Sequence, residues 1–328
     1  MGRLVNGTWL SEYHTSANTG GRFERQASLF RNWVTPDGAP GPTGKGGFKA
    51  EAGRYHLYVS YACPWAHRTL IVRALKGLED AISLSVVHWF MGENGWSFEE
   101  GDGVIPDPIL NARYLHEIYT AAKPNHTGRV TVPVLWDRET HSIVNNESAE
   151  IIRMLNSSFN TFASESADFH PTEFHARIDE INGRIYDTVN NGVYRAGFAT
   201  TQQAYDEAVA ALFDTLDWLE NWLSERRWLM GSRFTEADIR LFTTLLRFDL
   251  VYYGHFKCNV RRIVDCPNLW GFTREICQMP DVAPTIRLDH IKCHYYMSHP
   301  NVNPTRIVPA GPDIDFTIPH GRDRLLAA

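Results

Sequence analysis

The chain has 328 residues, is 43% hydrophobic and 21% charged, and carries a net charge of −6 with a pI near 6.2. That length suits two ordinary domains or one large one. The charge balance argues against a nucleic-acid surface, and the lack of any run of about 18 apolar residues argues against a membrane-spanning helix.

Five cysteines, at 63, 258, 266, 277 and 293, form an odd set with neither a disulfide framework nor zinc-knuckle spacing. The first residues, Met1 to Gly7, hold no apolar signal core. A cytoplasmic, reducing location with free thiols is the expectation. The 10 Trp, 13 Tyr and 17 Phe make an aromatic-rich chain; most are expected in the core, and a surplus would suit a flat aromatic ligand.

Residues 1–50 are polar, aromatic-spotted and rich in Gly and Pro. The stretch Asp37 to Gly47 reads as a loop. Ala39 to Gly46 imitates a phosphate loop but has Gly46 where Ser or Thr should hold magnesium, and no strand precedes it. Nucleotide binding is not expected.

From Tyr55 the pattern turns to strand, helix, strand. Tyr55 to Ser60 is β-rich and Arg68 to Lys76 is helical, so Cys63 falls where a strand ends and a helix begins. A thiol there faces backbone N–H groups without helical partners and the positive end of the helix dipole. Such surroundings lower a cysteine pKa from about 8.5 by one to several units. Pro64 suits the first helical turn because its missing N–H would have had no helical acceptor. The motif is Cys63-Pro64-Trp65-Ala66, so no second cysteine three residues on can close a local disulfide. An oxidised Cys63 needs an outside partner, most simply a small thiol.

Ile82 to His88 predicts a second strand, residues 91–111 a Gly/Pro-rich loop, and Asn111–Ala122 a helix. Arg129 to Asp137 predicts a strand interrupted by Pro133, which has no N–H for a ladder and belongs at an edge or a special backbone position. His141 to Val144 is a short strand. The following helix, opened by Asn145-Asn146-Glu147-Ser148, has polar capping residues at its start. The order β-α-β-α-β-β-α predicts a small mixed sheet.

After about residue 160 the spacing becomes helical. Glu173 to Tyr186, Gln202 to Ser224 and Thr235 to Asp249 carry apolar residues three and four apart. Thr235 and Asp238 have capping-box spacing. Helices are expected through about residue 300, with a tail from Pro300 running over the surface.

These features together, Cys-Pro at a strand–helix junction, Val-Pro before a hairpin, Glu-Ser at a helix start and a helical second half, resemble the glutathione transferase plan, whose first domain is thioredoxin-like. The blocks Cys63 to Arg68, Glu93 to Trp96, Gly128 to Asp137, Asn145 to Ile152, Asn190 to Ala199 and His255 to Asn259 are similar to those of the glutathionyl-hydroquinone reductases, the Xi class of that family, bacterial members included. The match runs from about residue 20 to 325 with no departure at the motif positions.

The resemblance implies an α/β thioredoxin-like N-terminal domain followed by an all-α domain. The expected division is an N-terminal extension at 1–50, a glutathione-binding domain at 51–160, a helical domain with a quinone site at 161–300 and a tail at 301–328. It implies glutathione-dependent reduction of glutathionyl-hydroquinones, with Cys63 as nucleophile, glutathione as co-substrate and no metal. Trp96, Arg129, Val130, Thr131, Val132, Pro133, Glu147 and Ser148 are the implied glutathione contacts. Val132 would offer its backbone if the Val132–Pro133 peptide is cis. Tyr194 is implied as proton donor or acceptor, with Tyr252 and Tyr295 hydrogen-bonding the thiolate. Physics does not choose these over their neighbours Tyr253 and Tyr296. A homodimer through the helical domains is implied, with no nucleic-acid or membrane partner.

Other readings remain. A broader thiol transferase or dehydroascorbate reductase needs only Cys63, and a non-catalytic binding module on the same scaffold needs not even that. His67, one turn from Cys63, reads first as a helix-face histidine. His290 and His294, with Asp289, Cys293 and His299 near, have ligand spacing but no completing motif. Cys258, Cys266, Cys277 and Cys293 read as inert small hydrophobes.

Overall fold

A computed structural model describes residues 2–11 and 19–325. Its order of elements begins with a hairpin, β1 (Arg3–Val5) and β2 (Thr8–Leu10). The polar composition of residues 1–50 predicts no strand here. The signal was present: Asn6 and Gly7 both take positive φ, 48° and 78°, as a tight Asn-Gly hairpin turn requires.

The main sheet follows from β3 (Tyr55–Val59), which runs into α1 (Pro64–Leu75) and returns as β4 (Ile82–Val86). Then come α2 (Leu115–Ala122), β5 (Val134–Asp137), β6 (Ser142–Asn145) and α3 (Ser148–Ser157). Strand order is β4-β3-β5-β6, with β3 parallel to β4 and antiparallel to β5, and β5 antiparallel to β6. All five residues of β3 are buried, as befits a central strand covered on both faces. Its side chains alternate by face. His56 bonds Ser83 and Ser85 on the neighbouring strand, while Tyr55 packs edge-on against Phe159. Helices α1 and α3 pack on each other.

Two element boundaries differ from expectation for local reasons. The helix before residue 122 starts at Leu115, not near Asn111, because Asn111 sits at φ 52° and Tyr114 is the extended N-cap. The strand expected from Arg129 begins only at Val134, after the proline that cannot donate to a ladder.

Beyond residue 168 the regular elements are helical: α4 (His175–Ile185), α5 (Gly192–Gly197), α6 (Gln202–Trp222), α7 (Glu236–Arg247), α8 (Pro267–Cys277) and α9 (Leu288–Ser298). Two of these are joined to neighbours by π-helical turns, Tyr186–Asn190 after α4 and Phe248–Tyr252 after α7. The α7 capping box forms as its spacing predicts. The tail is not wholly superficial. Arg322 and Leu325 are buried. By compactness the chain forms two units, one of residues 26–167 with the β1–β2 hairpin, the other of residues 19–25 with everything from Asp168 on. Among the described residues no helix is long and apolar enough to cross a membrane.

Candidate active site

In the first unit, Cys63 is the N-cap of α1, with extended backbone (φ −78°, ψ 121°) and Pro64 in the first turn. Its N–H donates to the Ser60 carbonyl at 3.2 Å, and the first helical bond runs from His67 N to the Cys63 carbonyl at 3.0 Å. The amides ahead of that bond have no helical acceptor, so the helix presents its positive end to the sulfur. Cys63 Sγ lies 3.6 Å from the Val132 carbonyl oxygen, and the Val132–Pro133 peptide is cis. The thiol is half-buried. His67 is fully buried within α1.

The backbone around Val132 is held by a residue absent from the sequence reading. Tyr119, fully buried on α2, donates its hydroxyl to the Thr131 carbonyl at 2.8 Å. The same oxygen accepts from Thr131 N at 3.2 Å and from Asn146 Nδ2 at 3.1 Å. One phenol thus ties the segment before Pro133 to the segment before α3. Its signal in sequence is faint, because a tyrosine on an apolar helix face reads as core.

Glu147 caps α3. Its Oε1 accepts from Ala149 N at 3.3 Å and its Oε2 from Ser28 Oγ at 3.0 Å, while its own N–H donates to Asn145 Oδ1 at 2.7 Å. Ser148 is buried, and Arg68 Nη1 donates to its hydroxyl at 3.4 Å. Arg68 is itself buried, with its guanidinium 4.5 Å from the Trp65 ring centre. A helix N-terminus beside a buried cation is suited to an anionic group. Trp96 and Val130 are buried, whereas Arg129 and Thr131 are half-buried. The β1–β2 hairpin braces both loops. Leu4 and Gly128 exchange backbone bonds of 2.9 and 3.0 Å, and Trp9 Nε1 donates to the Glu93 carbonyl at 2.8 Å.

In the second unit the three tyrosines converge. Tyr194 and Tyr295 hydroxyls are 2.6 Å apart, and Tyr252 and Tyr295 hydroxyls 2.9 Å. Tyr194 comes from α5, Tyr252 from the end of the π turn after α7, and Tyr295 from α9. The π turn before α5 is locked by Asn190, whose Nδ2 donates to the Arg240 carbonyl at 3.0 Å and Thr244 Oγ1 at 2.7 Å. π turns insert an extra residue and often mark functional sites. Tyr253 and Tyr296 are half-buried, and Tyr296 packs edge-on against His255 instead. Burial pushes the pKa of Tyr252 and Tyr295 well above that of an ordinary phenol, so both are protonated at neutral pH.

The remaining cysteines contrast with Cys63. Burial pushes the pKa of Cys258, Cys266, Cys277 and Cys293 up, which disfavours thiolate. His290 and His294 are buried in α9. Ligand-type atoms of His170, Asp179 and Glu236 lie within 4.8 Å of one another, but Glu236 already accepts from Asn182 and pairs with Arg240.

Residues 62–158 match the family model for the glutathione S-transferase N-terminal domain, and residues 202–275 that for the C-terminal domain. The chain is 57% identical over 324 residues to the glutathionyl-hydroquinone reductase YqjG of Escherichia coli, covering 98% of this chain and 99% of that protein. It is 56% identical over 312 residues to the glutathionyl-hydroquinone reductase PcpF of Sphingobium chlorophenolicum, covering 95% and 96%. Among solved structures, glutathione-bound YqjG superimposes with a TM-score of 0.91 at 54% identity, covering 98% of this chain and 99% of that one. An Xi-class transferase from Natrialba magadii does so with 0.92 at 52% identity, covering 99% and 98%. The chain therefore belongs to the glutathione transferase family and, within it, to the glutathionyl-hydroquinone reductases of the Xi class.

Proposed function

We propose that this enzyme uses glutathione to reduce glutathionyl-hydroquinones to hydroquinones, with Cys63 as the nucleophile. The observation that carries the reading is the Cys63 sulfur at the start of α1, 3.6 Å from the Val132 carbonyl beside Pro133. In it, the Cys63 thiolate attacks the glutathione sulfur of the thioether. A sulfur–sulfur bond forms, the aryl carbon–sulfur bond breaks, and its electron pair passes to the ring carbon, which takes a proton. Hydroquinone leaves, and Cys63 is left in mixed disulfide with glutathione. A second glutathione thiolate attacks the glutathione sulfur of that disulfide, giving oxidised glutathione and regenerating Cys63. Ala66 at the fourth motif position is consistent with an external resolving thiol.

Glutathione is held in this reading by the Val132 backbone before Pro133, by Glu147 on its ammonium and by Ser148 with the α3 amides on its carboxylate. Trp96, Arg129, Val130 and Thr131 complete the set. Tyr194 delivers the ring proton, and Tyr252 and Tyr295 support it and help stabilise the Cys63 thiolate by hydrogen bonding. A phenol suits that task, since it is a donor at neutral pH. The domain division at 51–160 and 161–300, a homodimer through the helical domains, a cytoplasmic location and chemistry without a metal belong to the same proposal.

The test is incubation with glutathionyl-benzohydroquinone and glutathione, with hydroquinone release followed alongside the mass of the protein. Wild type should release hydroquinone and carry a transient glutathione adduct on Cys63. Cys63→Ser should lose at least about 10³-fold in rate, as expected when a nucleophile is removed. An adduct without hydroquinone would point to a general thiol transferase, and cleavage by Cys63→Ser would sink the mechanism.

A further inference from the structure

Residues 19–25 belong to the helical unit, although the hairpin before them and the chain after them belong to the sheet unit. Their docking is specific. Thr200 N donates to the Gly21 carbonyl at 3.0 Å, and Thr201 Oγ1 to the Gly20 carbonyl at 2.9 Å. Gly21 has φ 81°, and a Cβ there would stand 2.6 Å from Thr201 Oγ1, so the close approach needs glycine. Arg22 makes a forked pair with Glu207 on α6, with contacts of 3.0, 2.9 and 2.8 Å.

These anchors deliver two side chains to Tyr194. The Phe23 ring stacks at 6.3 Å from Tyr194 and lies 5.4 Å from Phe198. The Arg25 guanidinium sits 4.8 Å from the Tyr194 ring centre, and its Nε donates to Asn191 Oδ1 at 2.6 Å. Asn191 is the N-cap of α5, the helix that carries Tyr194, and its carbonyl accepts from Arg195 N at 2.8 Å. Phe256 meets the same tyrosine edge-on at 5.6 Å. A planar guanidinium with one N–H fixed has little freedom left, so it holds the ring beneath it in one plane.

We propose that Arg25 is a positioning residue for Tyr194, clamping the ring so that its hydroxyl stays on Tyr295 and aligned for proton delivery. The proposal rests on the assignment of proton transfer to Tyr194. It also gives the N-terminal segment a role in turnover beyond covering a surface. The cation lies over an electron-rich face, a contact whose loss corresponds to about a five- to tenfold effect.

The test compares Arg25→Gln, Arg25→Ala and Arg25→Lys on two reactions. One is hydroquinone release from glutathionyl-benzohydroquinone. The other is exchange of glutathione with hydroxyethyl disulfide, which in this mechanism needs Cys63 but no ring proton. Gln and Ala should lower kcat for hydroquinone release by about tenfold, with KM changed less than about twofold and disulfide exchange unchanged. Lys should recover part of the loss, since an ammonium can still lie over the ring. Unchanged kcat in Arg25→Gln, or an equal fall in both reactions, would overturn the proposal. A turnover-independent arm places 3-fluorotyrosine at position 194. Arg25→Gln should shift and broaden its fluorine resonance, and an unmoved resonance would count against the clamp. If wild type releases no hydroquinone, the functional reading fails by itself, and the fluorine arm still decides the role of Arg25.

Discussion

Tyr295 is the hub of the hydroxyl chain, because it has one proton and two hydroxyl neighbours. It can donate to only one of Tyr194 and Tyr252, so the other must donate to it. Removing Tyr295 therefore breaks both of these bonds, while removing Tyr252 breaks one of them. We expect Tyr295→Phe to lower kcat for hydroquinone release by about 10²-fold and Tyr252→Phe by less. The double variant should be no slower than Tyr295→Phe alone, since the two share one network. Steady-state kinetics on the four proteins checks this, and independent, multiplying losses would contradict it. At this scale the sequence singled out Cys63 by its place at a helix start, which needs only local pattern. The tyrosines came from family resemblance, because adjacent pairs such as Tyr252 and Tyr253 differ only in which face a π turn gives them. Tyr119 was missed for the same reason: what matters is a bond to a backbone twelve residues away.

Elements convert these residues into fixed geometry. Tyr119 on α2 holds Thr131 beside Val132, so Tyr119→Phe leaves a backbone N–H, a carbonyl and the Asn146 amide short of a partner. A cost of about 1–3 kcal/mol in stability is expected. Under the proposed binding mode KM for glutathione should rise several-fold with kcat little changed, read by denaturant unfolding and kinetics together. The start of α7 offers a pH test. Asp238 is fully buried, and burial pushes its carboxyl up to about 7 although Leu229 N, Thr235 N and Thr235 Oγ1 all donate to it. Its unfolded value is about 3.9. The folded protein thus binds this proton more tightly, and that contribution is full below about pH 4 and lost as pH rises through about 7. The wild-type advantage in melting temperature over Asp238→Asn should shrink between about pH 5 and pH 8. A gap that does not change with pH would show that Asp238 stays ionised when folded.

Over the whole molecule, the tail matters more than its composition suggests. Arg322 is buried and donates through Nη2 to the Arg226 and Arg227 carbonyls at 2.7 and 2.6 Å, and through Nε to the buried Glu275 at 3.1 Å. Its Nη1 reaches the Leu223 and Asn268 carbonyls, both at 3.3 Å. Arg322→Ala should cost about 1–3 kcal/mol in denaturant unfolding, because it leaves Glu275 with Arg227 as its remaining ion-pair partner and several carbonyls unsatisfied. A loss under about 1 kcal/mol would mean the tail merely lies on the surface, as the sequence suggested. By itself the sequence determined the mixed sheet, the helical second half, the place of Cys63 and the α7 cap, since each depends on periodicity or spacing within a few residues. The N-terminal hairpin was equally local, and its Asn-Gly turn went unused. Only the tertiary structure decided that residues 19–25 join the helical unit, that Arg25 meets Tyr194, that three tyrosines share hydroxyls, and that Arg322 is buried. Those contacts join residues tens to more than a hundred and sixty positions apart, and no local preference of the chain encodes which distant partner will be there.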